Sequence, residues 1–200
     1  MWRLPPSGLD EAALAAAWRA ATPFPHLVLD DVIDPAALEA LMAIVDDEPV
    51  ERYQGEIFVF DATAPEPTTA AFRALRDDFA AALAPALARI TGKPVTRVDM
   101  RGFAYGPGHY LLPHTDHQVE LGRALAYACY LPTPAPPVGG ELELFRCVHD
   151  GEALTATEPA LTIGPRANRL AVFDVSVVSL HQVREVLAGL RISLAGWFYP

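Results

Sequence analysis

His114, Thr115 and Asp116, followed at a distance by His181 and then Arg191, are the residues whose types and spacing could do chemistry. Two imidazoles and one carboxylate on one face of a divalent metal leave the opposite positions open. That arrangement suits a ferrous ion that must admit a co-substrate and dioxygen. An isolated His-x-Asp is a weak signal, so the neighbours must carry the inference.

In an extended strand over residues 110–116, side chains two apart share a face, so His114 and Asp116 point together and Thr115 points back. The third ligand then comes from a separate strand. The β-branched and apolar run 176–183, which carries His181, is the candidate. Arg191 lies ten positions later. Between them the polar start at Arg184-Glu185 and Gly189 suit a turn that brings one strand back beside the next. Arg191 and Ser193 share a strand face, where a guanidinium fork and a hydroxyl form a receptor for a carboxylate.

These residues sit in longer patterns: Pro23-Phe24-Pro25-His26-Leu27-Val28-Leu29-Asp30-Asp31, Tyr105-Gly106-Pro107-Gly108-His109-Tyr110-Leu111-Leu112-Pro113-His114-Thr115-Asp116, Gly139-Gly140-Glu141-Leu142, His181-Gln182-Val183, and Arg191-Ile192-Ser193-Leu194-Ala195-Gly196-Trp197-Phe198. In that order they resemble the iron(II)- and 2-oxoglutarate-dependent dioxygenases, and within them the prolyl 4-hydroxylase-like group. The resemblance implies a double-stranded β-helix in which His114, Asp116 and His181 hold Fe(2+) and Arg191 anchors the distal carboxylate of 2-oxoglutarate. It also implies that Tyr130 assists Arg191 together with Ser193, and that Tyr105 lines the co-substrate pocket. The reaction it implies is hydroxylation of an unactivated C–H bond using O2, with release of succinate and carbon dioxide and with ascorbate as a supporting reductant. Related halogenases replace the ligand carboxylate by a small residue; Asp116 therefore favours hydroxylation.

Prolyl residues in a protein or peptide are the first substrate class the resemblance suggests. Relatives that modify a ribosomal protein commonly carry a second, degenerate barrel, whereas this sequence stops at Pro200, which leaves a free amino acid or other small molecule open. Two readings from other classes stand beside these. A zinc hydrolase uses the same ligand set but needs a general base and has no use for the Arg–Ser receptor. A non-catalytic binding module on the same barrel is the other. His117, His109, His26 and His149 lack a second ligand at suitable spacing and read as structural or solvent-exposed. Asp99 and Arg101 could serve as functional wall residues, but a solvated or structural ion-pair role is the favoured reading.

The elements that must position these groups follow from composition and period. The 200 residues, 52% hydrophobic and 20% charged, are enough for one substantial core and argue against disorder. A net charge of −10 argues against general nucleic-acid binding and is compatible with a basic protein or peptide partner. Cys129 and Cys147 are too few for a disulfide scaffold and read as reduced core residues. Neither a basic leader nor an apolar run long enough for a membrane span stands out, so a cytoplasmic protein is expected.

The expected class is mainly β with N-terminal helices, a jelly-roll, cupin-like core buttressed by helices. One domain over 1–200 divides into a mostly helical support region, 1–93, and a β-helix core, 94–200. Asp10 caps a helix to about Ala20, Asp34-Pro35 opens another, and 27–29 is a short strand. Phe72, Leu75, Phe79, Leu83 and Leu87 mark a helix over 68–90 that Pro85 bends or interrupts. Strands are expected at 95–105, 111–116, 124–131, 141–145, 169–173, 177–183 and 191–199, with 132–137 a stiff Pro-rich loop. The weakly patterned segment 49–67, containing Gly55, Pro65 and Pro67, reads as a mobile lid or substrate loop.

Overall fold

The computed structural model describes residues 1–4, 10–150 and 153–200. In chain order the elements are α1 (Glu11–Ala20), β1 (His26–Asp30), α2 (Leu38–Asp47), β2 (Val50–Gln54), β3 (Phe58–Thr63), α3 (Ala70–Thr91), β4 (Arg97–Val98), β5 (Arg101–Tyr105), β6 (Tyr110–His114), β7 (Leu125–Leu131), β8 (Val138–Gly139), β9 (Leu142–Asp150), β10 (Ala153–Ile163), β11 (Arg169–Asp174), β12 (His181–Val183), β13 (Val186–Ala188) and β14 (Arg191–Tyr199). The helix starts follow their capping residues. Asp10 accepts from Ala13 N at 2.6 Å and Thr69 from Phe72 N at 3.1 Å, satisfying donors that have no partner within the helix. Gly92, at φ 73°, closes α3 in the left-handed conformation that glycine adopts without strain.

The strands run in the order β1-β11-β7-β14-β5-β3-β6-β12-β9-β10, with β2 paired to β3, β4 to β14, and β8 to β13 in a separate ribbon. All pairings are antiparallel. The sheet folds over itself at β3, which pairs with β5 through Asp61↔Ala104 and with β6 through Phe58↔Leu111. Two halves therefore face each other, and Ala126, Ala128, Tyr130 and Phe173 from one half pack with Leu142, Leu144 and Ile163 from the other. This is a double-stranded β-helix.

Strand parity sorts the central strand β7, buried along its whole length, between two environments. Leu125, Tyr127, Cys129 and Leu131 meet a helix-sheet core with Leu14, Trp18, Phe72, Phe79, Leu83, Leu87 and Phe198. Ala126, Ala128 and Tyr130 face the barrel interior, where the two alanines leave space. The helices therefore back one half of the sheet and leave the inner face to the site.

Four expectations change on folding. Pro85 does not interrupt α3, which runs through it from Ala70 to Thr91; Leu83, Ala84, Ala86 and Leu87 are buried around it, and this packing holds the helix across the missing N–H. Segment 49–67 is not a loop: β2 and β3 form a hairpin with β3 inside the main sheet, so the first 93 residues supply structural strands as well as helices. Residues 95–105 split into β4 and β5 around Asp99-Met100. In 177–183 only His181–Val183 pairs, while Val177 and Val178 lie exposed in a turn.

The Gly189 turn also does something other than expected. It does not fold the His181 strand beside the Arg191 strand: β12 pairs with β6 and β9, whereas β14 pairs with β5 and β7. The link crosses from one half of the barrel to the other. Gly189 (φ 74°) permits this because a Cβ there would lie 2.3 Å from Pro136 O.

Candidate active site

His114 ends β6 and His181 begins β12, and the two are direct cross-strand partners with ring centroids 4.3 Å apart. Asp116 lies two residues beyond the end of β6 rather than within it, yet its carboxylate turns back to the same side. Oδ1 is 3.7 Å from His114 Nε2 and Oδ2 is 3.5 Å from His181 Nε2. One donor atom from each of the three lies within 4.8 Å of the others.

The backbone fixes both imidazoles. His114 Nδ1 donates to Leu112 O at 2.9 Å, and His181 Nδ1 donates to Ser179 O at 2.9 Å. A carbonyl can only accept, so Nδ1 carries the proton and each Nε2 presents a lone pair toward Asp116. Burial pushes His181 down to about 4, against the opposing pull of Asp116, so at neutral pH the ring is uncharged and fit to ligate. This donor set fits a divalent metal with open coordination positions.

Deeper in the barrel, Arg191 is buried on β14 opposite Tyr105 of β5, and Ser193 opposite Tyr130 of β7. The Arg191 guanidinium lies 4.7 Å from the Tyr105 ring and 5.0 Å from the Tyr130 ring. Burial pushes the Tyr105 hydroxyl up to about 12, so it stays protonated and can donate. Arg191 Nε, Tyr130 Oη and Ser193 Oγ have no hydrogen-bond partner among the described residues. A buried guanidinium with unmet donors costs free energy unless an anion meets it, and a carboxylate of matching size would take up all three groups. The residues present therefore fit 2-oxoglutarate as they fit iron.

A cavity of about 400 Å³ joins the metal ligands to Arg191 and is walled by Phe58, Phe60, Phe103, Leu142, Phe173 and Val183 among others. Gly140 keeps one wall in place: a Cβ there would come within 2.8 Å of Val186 and 3.1 Å of Arg191 Cδ. At the mouth Arg123 stacks over Trp197 at 3.5 Å, and its Nη1 donates to Asp116 O at 3.3 Å. Arg123 Nε and Trp197 Nε1 are buried without partners among the described residues and border the cavity.

All seven expected site residues meet here: His114, Asp116, His181, Arg191, Tyr105, Tyr130 and Ser193 either line this cavity or, for Tyr130, flank Arg191 behind it. Sequence reasoning missed Arg123 and Trp197. Parity could have found Trp197, which is in step with Arg191 and Ser193 on β14; nothing local distinguishes Arg123. Of Asp99 and Arg101, for which the sequence favours a solvated or structural ion-pair role over a wall role, neither forms an ion pair among the described residues. Asp99 instead accepts from Trp197 N at 2.6 Å and Tyr199 Oη at 2.7 Å, while Arg101 lines the cavity. Of the other histidines, His109 is buried with Nδ1 accepting from Gly106 N, and His26 bonds Phe24 O; the side chain of His149 falls outside the described residues.

Fold and donor set together define a non-haem iron oxygenase. Residues 100–199 match the model of the 2OG-Fe(II) oxygenase superfamily, and the chain belongs to that family, whose members use Fe(2+), 2-oxoglutarate and O2. It is 31% identical over 208 residues to prolyl 3-hydroxylase OGFOD1 of Mus musculus, an alignment covering 93% of this chain and 37% of the mouse protein. The chain thus spans little more than a third of that relative. A Pseudomonas putida prolyl-4-hydroxylase superposes with TM-score 0.67 at 22% identity, covering 93% of this chain and 98% of that one. A Trichoplax adhaerens prolyl hydroxylase, solved with a peptide fragment of the hypoxia inducible factor oxygen degradation domain, superposes with TM-score 0.68 at 14% identity, covering 94% and 90%.

Proposed function

We propose that this protein hydroxylates a prolyl residue in a peptide or protein segment, with His114, Asp116 and His181 holding the iron and Arg191, Tyr130 and Ser193 holding the distal carboxylate of 2-oxoglutarate. The observation that carries the reading is the pair of unpartnered buried groups, Arg191 Nε and Ser193 Oγ, in the same cavity as the ligand triad, with the unpartnered Tyr130 hydroxyl behind them. When bound, iron with 2-oxoglutarate and dioxygen supplies the oxidation that inserts oxygen into a C–H bond and releases succinate and carbon dioxide.

The chain's own residues place the reactants. Arg191 offers parallel donors that fix the co-substrate's orientation, with Tyr105 closing the pocket beside it. The aromatic wall of Phe58, Phe60 and Phe103 excludes water and leaves room for a compact apolar ring. Trp197 borders the cavity with Arg123 stacked over its ring, and the unpartnered Arg123 Nε can donate to a substrate carbonyl. Prolyl hydroxylases among the relatives support this substrate. A zinc hydrolase is disfavoured: among the described residues lining the cavity, Asp116 is the only carboxylate, and as a ligand it leaves no general base.

No described helix is long and apolar enough to cross a membrane. We assign the protein to a reducing, cytoplasmic setting, consistent with its free Cys129 and Cys147 thiols. Anaerobic titration of the Fe(II)-loaded protein with 2-oxoglutarate should produce a visible charge-transfer band that His181→Ala abolishes. In air, a proline-containing peptide panel scored by mass spectrometry should gain one oxygen. Turnover confined to free amino acids would remove the peptide substrate, and no band despite bound iron would remove the 2-oxoglutarate assignment.

A further inference from the structure

Arg101, Phe103 and Tyr105 alternate along β5 on the face turned into the barrel, with Tyr105 beside Arg191 at the inner end. Arg101 lies four residues away, about 13 Å along the strand. Its Nε and Nη2 both donate to Thr63 O, at 2.8 and 2.5 Å, and its guanidinium stacks over Tyr53 at 4.6 Å and Phe103 at 5.2 Å. These contacts fix the group through Nε and Nη2 and leave Nη1 outside them, with the Tyr53 hydroxyl as a further hydrogen-bonding neighbour of the guanidinium. The nearby Asp99 carboxylate is engaged by Trp197 N and Tyr199 Oη.

Charge bookkeeping singles out this residue. The charged groups lining the cavity are Arg101, Arg123, Arg191 and Asp116. Arg191 faces the co-substrate end, and Arg123 reaches Asp116 through the backbone oxygen at 3.3 Å and lies 4.0 Å from Oδ1. A ferrous ion and a 2-oxoglutarate dianion cancel each other. Three guanidiniums against one carboxylate therefore leave the filled cavity positive, in a chain whose overall charge is −10. Burial lowers the Arg101 pKa from its ordinary value, which marks a partly desolvated cation for which an anion is the natural complement.

We infer that Arg101 is a specificity-determining residue that receives a carboxylate carried next to the group being hydroxylated. The inference rests on the proposed oxygenase reading and narrows its substrate class to acidic ligands. The carboxylate has two possible sources: an acidic side chain beside a peptidyl proline, or the α-carboxylate of a terminal or free proline. Nη1 would add a charge-assisted bond on a guanidinium already held in place, so little side-chain freedom is lost on binding.

The test is calorimetric binding under nitrogen to the protein loaded with Fe(II) and 2-oxoglutarate. The ligands are N-acetylated peptide amides containing Asp-Pro, Asn-Pro, Asp-Ala and Asn-Ala, together with N-acetylproline and its amide. Wild-type protein should prefer Asp over Asn, or the proline acid over its amide, by about tenfold. Arg101→Gln should collapse that ratio toward one. A purely structural role for Arg101 would lower all affinities together and leave the ratio intact, which overturns the inference. Equal binding of acidic and neutral ligands by the wild type, or no binding of any acidic ligand, overturns it without needing the variant. A proline preference without a charge preference sinks only the carboxylate inference; a charge preference without a proline preference sinks only the prolyl reading. Asp-Pro and N-acetylproline distinguish the two sources.

Discussion

Arg191 shows why residue type matters more than charge at this site. Its buried fork is flanked by two tyrosine rings, and its Nε waits without a partner. Lysine would keep the charge but offer a point donor that cannot bond both oxygens of a carboxylate. Arg191→Lys is expected to raise the KM for 2-oxoglutarate at least about tenfold, with iron affinity unchanged, as read by steady-state kinetics and metal titration. His181→Ala should do the reverse, weakening iron binding by about a hundredfold if it removes one of the three proposed protein ligands. Glu48 carries a different lesson. Burial raises its carboxyl, but the Thr69 hydroxyl, the backbone N–H groups of Thr68 and Thr69 and the Thr68 hydroxyl together hold it below the ordinary 4.5. A lowered folded value means the stability Glu48 contributes is complete above that ordinary value and is lost as pH falls through the folded one. Glu48→Gln should therefore flatten the acid limb of the stability profile, measured as urea midpoints between about pH 5 and pH 3.

At the scale of elements, the ribbon formed by β8 and β13 ties the Pro-rich loop to the segment between His181 and Arg191. Gly139, at φ 83°, makes this possible, because a Cβ there would lie 2.1 Å from Glu185 O. Gly139→Ala should destabilise the protein by about 2 kcal/mol or more, since both the backbone conformation and the close approach are lost. Its effect on the KM for 2-oxoglutarate should exceed that of Gly92→Ala, where nothing lies within 4 Å of the added Cβ. Thermal melts and kinetics on the two variants check this. The β2/β3 hairpin is the other element with a double role: it joins the halves of the sheet and brings Phe58 and Phe60 to the cavity wall.

In the whole molecule, stability and function occupy opposite faces of one sheet. Phe79 is fully buried and packs its ring against Trp2, Tyr127 and Phe198, on the helix side of β7 and β14. Phe79→Ala should cost about 3–5 kcal/mol while leaving the KM for 2-oxoglutarate near its original value in the protein that remains folded. Ala128, one residue from Tyr127 on the opposite face, borders the cavity. Ala128→Leu should cost little stability but fill space the co-substrate needs, so the charge-transfer band should weaken in a protein with a near-normal melt. Loss of folding in this variant would show that the two faces are not separable.

Much of this was legible in the chain because its signals are local. Capping at Asp10 and Asp34, the spacing of Phe72 through Leu87, and the alternation that puts Arg191 with Ser193 depend on local side-chain chemistry and on backbone periods of 3.6 and 2. The order of motifs around His114, Asp116, His181 and Arg191 was enough to name their family. Strand partners were not legible, because pairing joins residues far apart in sequence through backbone groups that every residue has. That is why 49–67 looked like a loop, why Gly189 seemed to fold adjacent strands together, and why a structural role for Arg101 was favoured over a place in the cavity wall. Only closure of the barrel decided that β12 and β14 lie in opposite halves, that Arg123 reaches Asp116, and that the small side chains of Ala126 and Ala128 leave a cavity between them. Those outcomes belong to the packed sheet, where the space one strand leaves is bounded by side chains from others.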